Sequence, residues 1–172
     1  QLLNALTVID VCFALRERGW DKLTDAAIDQ GLSTAKWPGR LELLRRSPDF
    51  IVDGAHNPQC ADALMDSLSS LYGDKKLIFL TGVLRDKDWQ QMLRRALPLA
   101  KAFVVITPPS ARALDENELA GWLNAQGVPA IPAADTDDGV RRVLAMAGKD
   151  DAICSWGSLY FTGEVRHALS AQ

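Results

Sequence analysis

The sequence contains no run of apolar residues long enough to cross a bilayer. Its longest apolar stretches, such as Leu77–Leu80 and Ala102–Ile106, are far shorter than the ~20 residues that a transmembrane helix needs. A basic excess is also missing, since 19 Lys and Arg residues stand against 22 Asp and Glu residues. Nucleic-acid binders neutralise phosphates with clustered cations. We therefore expect a protein that binds neither membranes nor nucleic acid.

Cysteine is scarce as well. The three cysteines, Cys12, Cys60 and Cys154, are far apart and show no metal-ligand spacing. An odd number of scattered cysteines is typical of a reducing compartment rather than of a disulfide framework. We therefore expect a cytoplasmic protein without a metal site in this chain. Disorder is excluded, because 48% of the residues are hydrophobic and the formal net charge is only −3.

From Phe50 onward, short apolar runs alternate with amphipathic segments. Apolar runs predict strands at 50–52, 77–80, 103–106, 130–132 and 152–154. Helical spacing predicts helices at 58–71, 89–97, 115–124, 136–146 and 158–169. Continuous apolar strands alternating with amphipathic helices indicate a parallel sheet covered on both faces. The predicted fold is α/β, a doubly wound, mostly parallel Rossmann-like sheet.

The first 46 residues follow a different pattern. Helical spacing predicts two helices here, at 2–18 and 24–30. Trp37-Pro38-Gly39-Arg40 cannot lie inside a helix because of its Pro and Gly, and a linker is expected near 45–49. We therefore divide the chain into residues 1–46 and 47–172. Because the chain starts without Met, directly on a helical pattern, we also expect further sequence upstream.

One local feature combines several functional residue types. The segment Asp53-Gly54-Ala55-His56-Asn57-Pro58 lies between a predicted buried strand and a predicted helix. Gly54 permits a tight exit from the sheet, and Asn57-Pro58 suits a helix start, which offers free amides to an anion. Asp53 and His56 stand beside it with a carboxylate and an imidazole. Ligands of such sheets bind at the carboxyl ends of strands, so this segment is a candidate site. Alternatively, both side chains only stabilise the turn.

Two segments together resemble the paired signature of folylpolyglutamate synthases, of the bifunctional dihydrofolate synthase type, in the Mur ligase superfamily. They are Trp37-Pro38-Gly39-Arg40-Leu41-Glu42 and the segment 53–58. The closing stretch Gly157-Ser158-Leu159-Tyr160, with Gly163-Glu164-Val165-Arg166 behind it, is similar to that family's last strand-to-helix segment. Asn4-Ala5 and Asp86-Lys87-Asp88 also fit. The resemblance implies a Mur ligase carboxy-terminal domain in residues 47–172, preceded by helices that end a central ATP-binding domain.

The resemblance also implies an activity, that of an ATP-dependent carbon–nitrogen ligase. Such enzymes convert a carboxylate of folate or dihydropteroate to an acyl phosphate, which the amine of L-glutamate then attacks. The family's P-loop and magnesium ligands are not found in this sequence. The resemblance therefore implies ATP and Mg²⁺ as cofactors, metal ligands in an upstream part, and a chain that does not turn over alone. We expect a monomer with small-molecule substrates.

Carried over residue by residue, the resemblance assigns ATP contacts to Asn4, Arg40 and Asp53. It assigns the catalytic pair to His56 and Asp53, with His56 stabilising or positioning the acyl phosphate rather than acting as an obligatory base. By analogy with other Mur ligases, Lys87 and Ser158 would hold the carboxylates of the incoming glutamate.

Simpler interpretations stay open for several residues. Ser158 could only cap the last helix, and Lys87 could be a solvated loop charge. Arg85 and Arg112 could add a positive field for a polyglutamate tail, or simply lie on the surface.

Two other functions stay open for the chain as a whole. One is another Mur-type ligase that acts on a peptidoglycan precursor, and assays with folates and with nucleotide-linked muramyl peptides would separate the two. The other is a non-catalytic nucleotide-binding module of Rossmann-like form. Its dinucleotide version is opposed by the absence of G-x-G-x-x-G after the first predicted strand.

Overall fold

The computed structural model describes residues 2–172, with side chains from residue 4 onward. The chain divides into two compact units, Gln1–Pro38 and Gly39–Gln172. The sequence analysis drew its boundary later, after residue 46. The two divisions differ because Glu42–Arg45 pairs as a strand of the second unit's sheet, although its short, half-polar sequence resembles a linker.

The first unit contains two helices, α1 (Leu2–Arg16) and α2 (Asp25–Thr34). Thr24 caps α2, because its side chain accepts a hydrogen bond from the N–H of Ala27 at 3.2 Å. Arg16 at the end of α1 donates to the Leu23 carbonyl at 2.7 Å and to the Asp25 carboxylate at 2.8 Å. The prediction that α2 ends before Gly31 was wrong, since this glycine does not adopt the left-handed φ of a helix end.

Within residues 39–172, six strands and five helices alternate for most of the chain. The strands are β1 (Glu42–Arg45), β2 (Asp49–Val52), β3 (Leu77–Thr81), β4 (Ala100–Val105), β5 (Ala130–Pro132) and β6 (Ala152–Trp156). The helices are α3 (Pro58–Tyr72), α4 (Trp89–Ala96), α5 (Glu116–Ala125), α6 (Thr136–Met146) and α7 (Thr162–Ser170). Among residues 2–172, no helix is both long and apolar enough to span a membrane.

The strands form one sheet in the order β1-β2-β6-β3-β4-β5. All neighbours pair in parallel except β1, which runs antiparallel to β2 at one edge. The last strand along the chain, β6, therefore lies between β2 and β3. This arrangement confirms the predicted mostly parallel α/β fold.

Apolar side chains fill the space on both faces of the sheet. On one face, Phe79, Phe103 and Trp156 lie in a buried cluster with residues of α3, α4 and α5. On the other face, Ile78 and Val104 lie in a cluster with residues of α6 and α7. Neighbouring strand residues point to opposite faces, so a strand with two buried faces is apolar throughout. The prediction of a doubly wound sheet is confirmed.

Two local details differ from the sequence prediction. The helix predicted at 58–71 ends one residue later, at Tyr72, and its apolar residue Leu71 is 61% exposed. The final helix was expected to start at Ser158. Instead, Leu159–Phe161 forms a 3-10 turn, and α7 begins at Thr162.

Candidate functional site

The loops that follow β2, β3, β4 and β6 meet at the carboxyl edge of the sheet. The N–H of Gly157 donates to the Ala55 carbonyl at 3.0 Å, which joins the loops after β6 and β2. The Thr81 hydroxyl donates to the Trp156 carbonyl at 2.9 Å, which joins the ends of β3 and β6. These bonds hold the strand ends together, as the parallel topology predicts.

The loops border a pocket of about 320 Å³. Its lining consists of His56, Leu84, Lys87, Arg112, Gly157, Ser158, Leu159 and Tyr160. Three of the residues assigned to the site from sequence, His56, Lys87 and Ser158, are thus brought together. Lys87 and Arg112 bring full positive charges to the lining, and the lining contains no carboxylate. Such a pocket favours an anionic ligand.

Gly54 allows two side chains to approach the main chain beside this pocket. A Cβ atom at this position would lie 2.3 Å from Cδ2 of Leu159 and 3.2 Å from Nη1 of Arg40. Downstream, Asn57 caps α3, because its side chain accepts a hydrogen bond from the N–H of Cys60 at 2.9 Å. The predicted turn and helix cap of this segment are therefore confirmed.

The carboxylate of Asp53 is 8% exposed and accepts two main-chain hydrogen bonds. The N–H of Leu41 donates at 2.7 Å and the N–H of Ala55 at 2.8 Å. Burial raises the pKa of Asp53, although these two bonds and the positive charge of Arg40 oppose the shift. Asp53 thus stabilises the turn, the simpler of its two interpretations, and a carboxylate still has further lone pairs for a ligand.

Asp53 also joins the site to the segment that begins the second unit. In addition to the Leu41 bond, the N–H of Gly54 donates to the Gly39 carbonyl at 2.7 Å. The segment turns sharply, with left-handed φ at Gly39 (73°) and at Leu41 (44°). Arg40, between these two residues, is therefore fixed at its main chain on either side.

The imidazole of His56 is half-buried, and its Nδ1 lies 2.8 Å from the Gly54 carbonyl oxygen. A carbonyl oxygen only accepts hydrogen bonds, so Nδ1 carries the proton. Nε2 is then left for a ligand, as an acceptor in the neutral ring and as a donor in the charged ring. The bond to Gly54 sets the orientation of the ring at the pocket.

Lys87 and Ser158 contribute different chemistry to the lining. The ammonium group of Lys87 has no hydrogen-bond or ion-pair partner in the described part of the chain. Ser158 is 2% exposed, and its hydroxyl oxygen accepts a hydrogen bond from the N–H of Tyr160 at 3.3 Å. Capping by Ser158 is thus confirmed, although it caps a 3-10 turn rather than the α-helix itself. Its hydroxyl proton is left to donate.

The other sequence-assigned residues, Asp53, Arg40 and Asn4, are not among the residues that line this pocket. Arg40 is half-buried beside Gly54, and across residues 4–172 its guanidinium has no hydrogen-bond or ion-pair partner. Its positive charge opposes the rise in the pKa of Asp53 that burial causes, so the guanidinium lies near this carboxylate. Asn4 is exposed on α1, in the first unit.

Arg112 lines the pocket, whereas Arg85 does not. Arg112 Nη1 donates to the Asp86 carboxylate at 2.8 Å, and Nη2 donates to the Tyr160 hydroxyl at 3.2 Å. The hydrogen bond to Tyr160, and then the charge of Asp86, raise the pKa of Arg112. Arg85 instead forms a two-pronged ion pair with Glu118, at 3.2 and 2.7 Å.

The sequence analysis missed Tyr160 and Leu84 as lining residues. Tyr160 stands in the quoted closing segment, so a signal was present there. Leu84 has no such signal in the sequence, because an apolar loop residue is usually assigned to the core. Across residues 4–172, no group of three or more His, Cys, Asp and Glu side chains is arranged to hold a metal ion.

Residues 39–159 match the Mur ligase family at its glutamate ligase domain. The chain belongs to this family. The match begins at the first residue of the second unit and includes every residue that lines the pocket except Tyr160. The pocket described above therefore lies in the glutamate ligase domain.

Individual relatives carry a more specific name. The chain is 28% identical over 172 residues to the dihydrofolate synthase/folylpolyglutamate synthase of Bacillus subtilis, covering 98% of this chain and 39% of that protein. It is similar to the bifunctional folylpolyglutamate synthase/dihydrofolate synthase of Yersinia pestis complexed with AMPPNP and a Mn ion. That structure has a TM-score of 0.77 and 28% identity, over 86% of this chain and 35% of that one.

Another similar structure, of a bifunctional folylpolyglutamate synthase/dihydrofolate synthase, contains L-glutamate in addition to Mn and AMPPNP. It matches with a TM-score of 0.74 and 28% identity, over 86% of this chain and 34% of that one. This chain thus spans between about a third and two fifths of the length of these relatives. They confirm a domain like that of folylpolyglutamate synthases.

Proposed function

We propose that this chain is part of an ATP-dependent amide ligase that adds L-glutamate to folate, and to dihydropteroate as well. The observation that carries the proposal is the pocket itself. An imidazole, an unpartnered ammonium group and a guanidinium surround a small cavity in a glutamate ligase domain. Relatives named folylpolyglutamate synthases support the choice of substrate.

Arg40 and Asp53 are the residues that would contact ATP from this domain. The half-buried guanidinium of Arg40 lacks a partner among the described side chains, and such a fork of donors suits phosphate oxygens. Asp53 lies beside it and can accept from ribose hydroxyls with its remaining lone pairs. Asn4 is proposed as a third contact, through its amide. Bound ATP would supply the phosphoryl group that activates the folate carboxylate.

His56, Lys87 and Ser158 would act on the other reactant. Lys87 offers a free charge and Ser158 a hydroxyl donor to the carboxylates of glutamate. His56, with its Nε2 unused by the fold, would position the attacking amine and stabilise the charge of the acyl phosphate. Asp53 supports His56 indirectly, because it orders the turn that carries the imidazole.

We further propose that the chain does not turn over alone. Phosphoryl transfer depends on positioning and on neutralising charge, and neither a P-loop sequence nor a metal-binding group is found among the described residues. The experiment is a chimera in which this chain replaces the matching 39% of the Bacillus subtilis enzyme. The isolated chain, the chimera and the truncated Bacillus enzyme are each given ATP, Mg²⁺, a reduced folate and an amino acid.

We expect ADP release from the chimera with L-glutamate, and none from either part alone. Sustained ADP release by the isolated chain would refute its proposed dependence on an upstream part. A chimera that is folded by circular dichroism but ligates no L-glutamate would refute the proposed function. A chimera that prefers an amino acid of the peptidoglycan pathway would favour the other Mur-type ligases.

A further inference from the structure

The pocket carries two separate full positive charges, those of Lys87 and Arg112. A single cation is enough to bind one carboxylate, as at many amino-acid sites. The second cation, Arg112, comes from a different loop, the one after β4, whereas Lys87 follows β3. Two cations from two loops suit a ligand with two anionic groups.

Arg112 is held in place at both its main chain and its side chain. Its carbonyl accepts from the N–H of Arg85 at 2.8 Å, and the next residue, Ala113, forms an isolated antiparallel bridge with Leu84. At the other end, Asp86 and Tyr160 accept from the two Nη atoms. A guanidinium has five N–H donors, so donors are left over for a ligand.

The ion pair with Asp86 orients Arg112 without cancelling its charge at the pocket. Both side chains are about half exposed, 52% for Arg112 and 46% for Asp86, so water screens their attraction. Asp86 is not part of the lining, whereas Arg112 is. Tyr160 accepts from Arg112 and still has its own hydroxyl proton, which points to a second donor for the same anion.

We infer that Arg112, oriented by Asp86 and Tyr160, binds the second carboxylate of the incoming amino acid and so selects a dicarboxylic amino acid over its amide. This inference rests on the proposed function and specifies which residue sets its choice of amino acid. The pocket volume of about 320 Å³ is at the small end of the ~300–1,000 Å³ typical of ligand pockets, as a single amino acid requires.

The test is a titration of the 172-residue chain, followed by two-dimensional ¹H–¹⁵N NMR, with L-glutamate, L-glutamine and glutarate as probes. In Arg112→Gln we expect the affinity for glutamate and for glutarate to fall roughly ten-fold or more, with glutamine changed by less than about two-fold. In Tyr160→Phe, which keeps the ring but removes the acceptor, we expect a smaller loss of roughly two- to five-fold for the two dicarboxylates.

Arg95→Gln is the matched control. Arg95 is 48% exposed and also pairs with two acceptors, Asp62 and Asp66, but it does not line the pocket. This variant should bind all three probes as the unaltered chain does. Equal losses for glutamate and glutamine in Arg112→Gln, losses of the same size in Arg95→Gln, or no binding of glutamate to the unaltered chain would each overturn the inference.

The chimera separates the inference from the function on which it rests. Ligation of glutamate by both the parent chimera and its Arg112→Gln variant, with the same preference over glutamine, would refute the inference alone. Arg112-dependent binding to the isolated chain, in the absence of any ligation by the chimera, would refute the ligase and leave the dicarboxylate site in place.

Discussion

The carboxylate of Asp53 is a buried charge whose two oxygens both serve the main chain. One accepts from Leu41, in the segment that begins the second unit, and the other from Ala55, in the loop before α3. An amide has one acceptor oxygen, whereas a carboxylate has two. The position therefore needs an acid for a structural reason, independent of any ligand.

We expect Asp53→Asn to lower the free energy of unfolding by about 1–3 kcal/mol, because one buried main-chain N–H loses its acceptor. Urea unfolding measures the change. Asp74→Asn is the control, since Asp74 is exposed and has no partner in the part of the chain described. It should stay within about 0.5 kcal/mol of the unaltered chain, and a similar loss in both variants would contradict the prediction.

Asp53→Asn also tests how the stability of the chain depends on pH. Burial raises the pKa of Asp53 in the folded protein, so the folded state binds the proton more tightly than the unfolded state. The stability linked to this group is then fully present below its unfolded pKa of ~3.9 and is lost as pH rises through the folded value. The stability gap between the unaltered chain and Asp53→Asn should accordingly narrow as pH rises through that window.

For His56 we expect an effect on turnover rather than on nucleotide affinity. In the chimera, His56→Ala should reduce kcat by roughly 10²–10³-fold, as for loss of one group that stabilises transition-state charge. The apparent affinity for ATP should change much less. His167→Ala, at the exposed histidine of α7, is the matched control, and a kcat for His56→Ala equal to that of this control would remove His56 from the mechanism.

Single residues of the site were predictable where a strand end preceded them. His56, Lys87 and Ser158 all follow apolar runs, and the parallel topology brings such positions to one edge. Tyr160 and Leu84 also follow strand ends, but neither was singled out, because neither carries a charge or a group typical of a catalytic site. Their approach to the pocket depends on how the loops fold back, as in the bridge between Leu84 and Ala113, and no periodicity encodes such a bridge.

Among the helices and loops, two glycines are expected to change stability in opposite directions when they are replaced by alanine. Gly157 has φ of 112°, and a Cβ atom there would lie 2.6 Å from the Gly82 carbonyl oxygen. Gly121 is exposed within α5, and no atom lies within 4 Å of its would-be Cβ. The first glycine is therefore required by the approach of two loops, and the second only weakens its helix.

We expect Gly157→Ala to destabilise the chain by about 1–3 kcal/mol, because alanine is strained at this φ and its Cβ would clash with the Gly82 carbonyl oxygen. Gly121→Ala should stabilise it by about 0.5–1 kcal/mol. Thermal unfolding of both variants measures the two shifts. A Gly157→Ala variant as stable as the unaltered chain would show that the loop after β6 can move away from β3.

The central strands were the most predictable elements, because burial on both faces leaves only apolar residues in them. Phe79 and Ile78, for example, are adjacent and fully buried on opposite faces. The edge strand β1 was missed for the converse reason. Its residues alternate between half-buried and exposed, and its sequence of Glu-Leu-Leu-Arg fits a linker, a helix turn or a strand equally well.

For the molecule as a whole, both apolar clusters consist of residues from the second unit. We therefore expect residues 39–172 to fold without the first unit. Circular dichroism and NMR dispersion of a chain that begins at Gly39 would measure this, with the full chain as the control. Loss of cooperative unfolding in the shorter chain would contradict the prediction.

The shorter chain should also be less prone to aggregate. The first unit exposes roughly half of the surface of Leu6 and Phe13 on one side of α1 and of Val8 and Val11 on the other, and exposed apolar surface favours association. Light scattering at matched concentrations would compare the two chains. The cytoplasmic location and the monomeric state expected from the sequence stay predictions.

The position of β6 has a consequence for folding during synthesis on the ribosome. The chain emerges from its amino-terminal end, but β2 and β3 pair only through β6, which begins at Ala152. Until those last residues have left the exit tunnel, the two halves of the sheet share no neighbouring strand. If translation stops early, β2 and β3 would each be left with an unpaired edge where β6 should lie. A chain with such exposed edges is a substrate for chaperones and proteases.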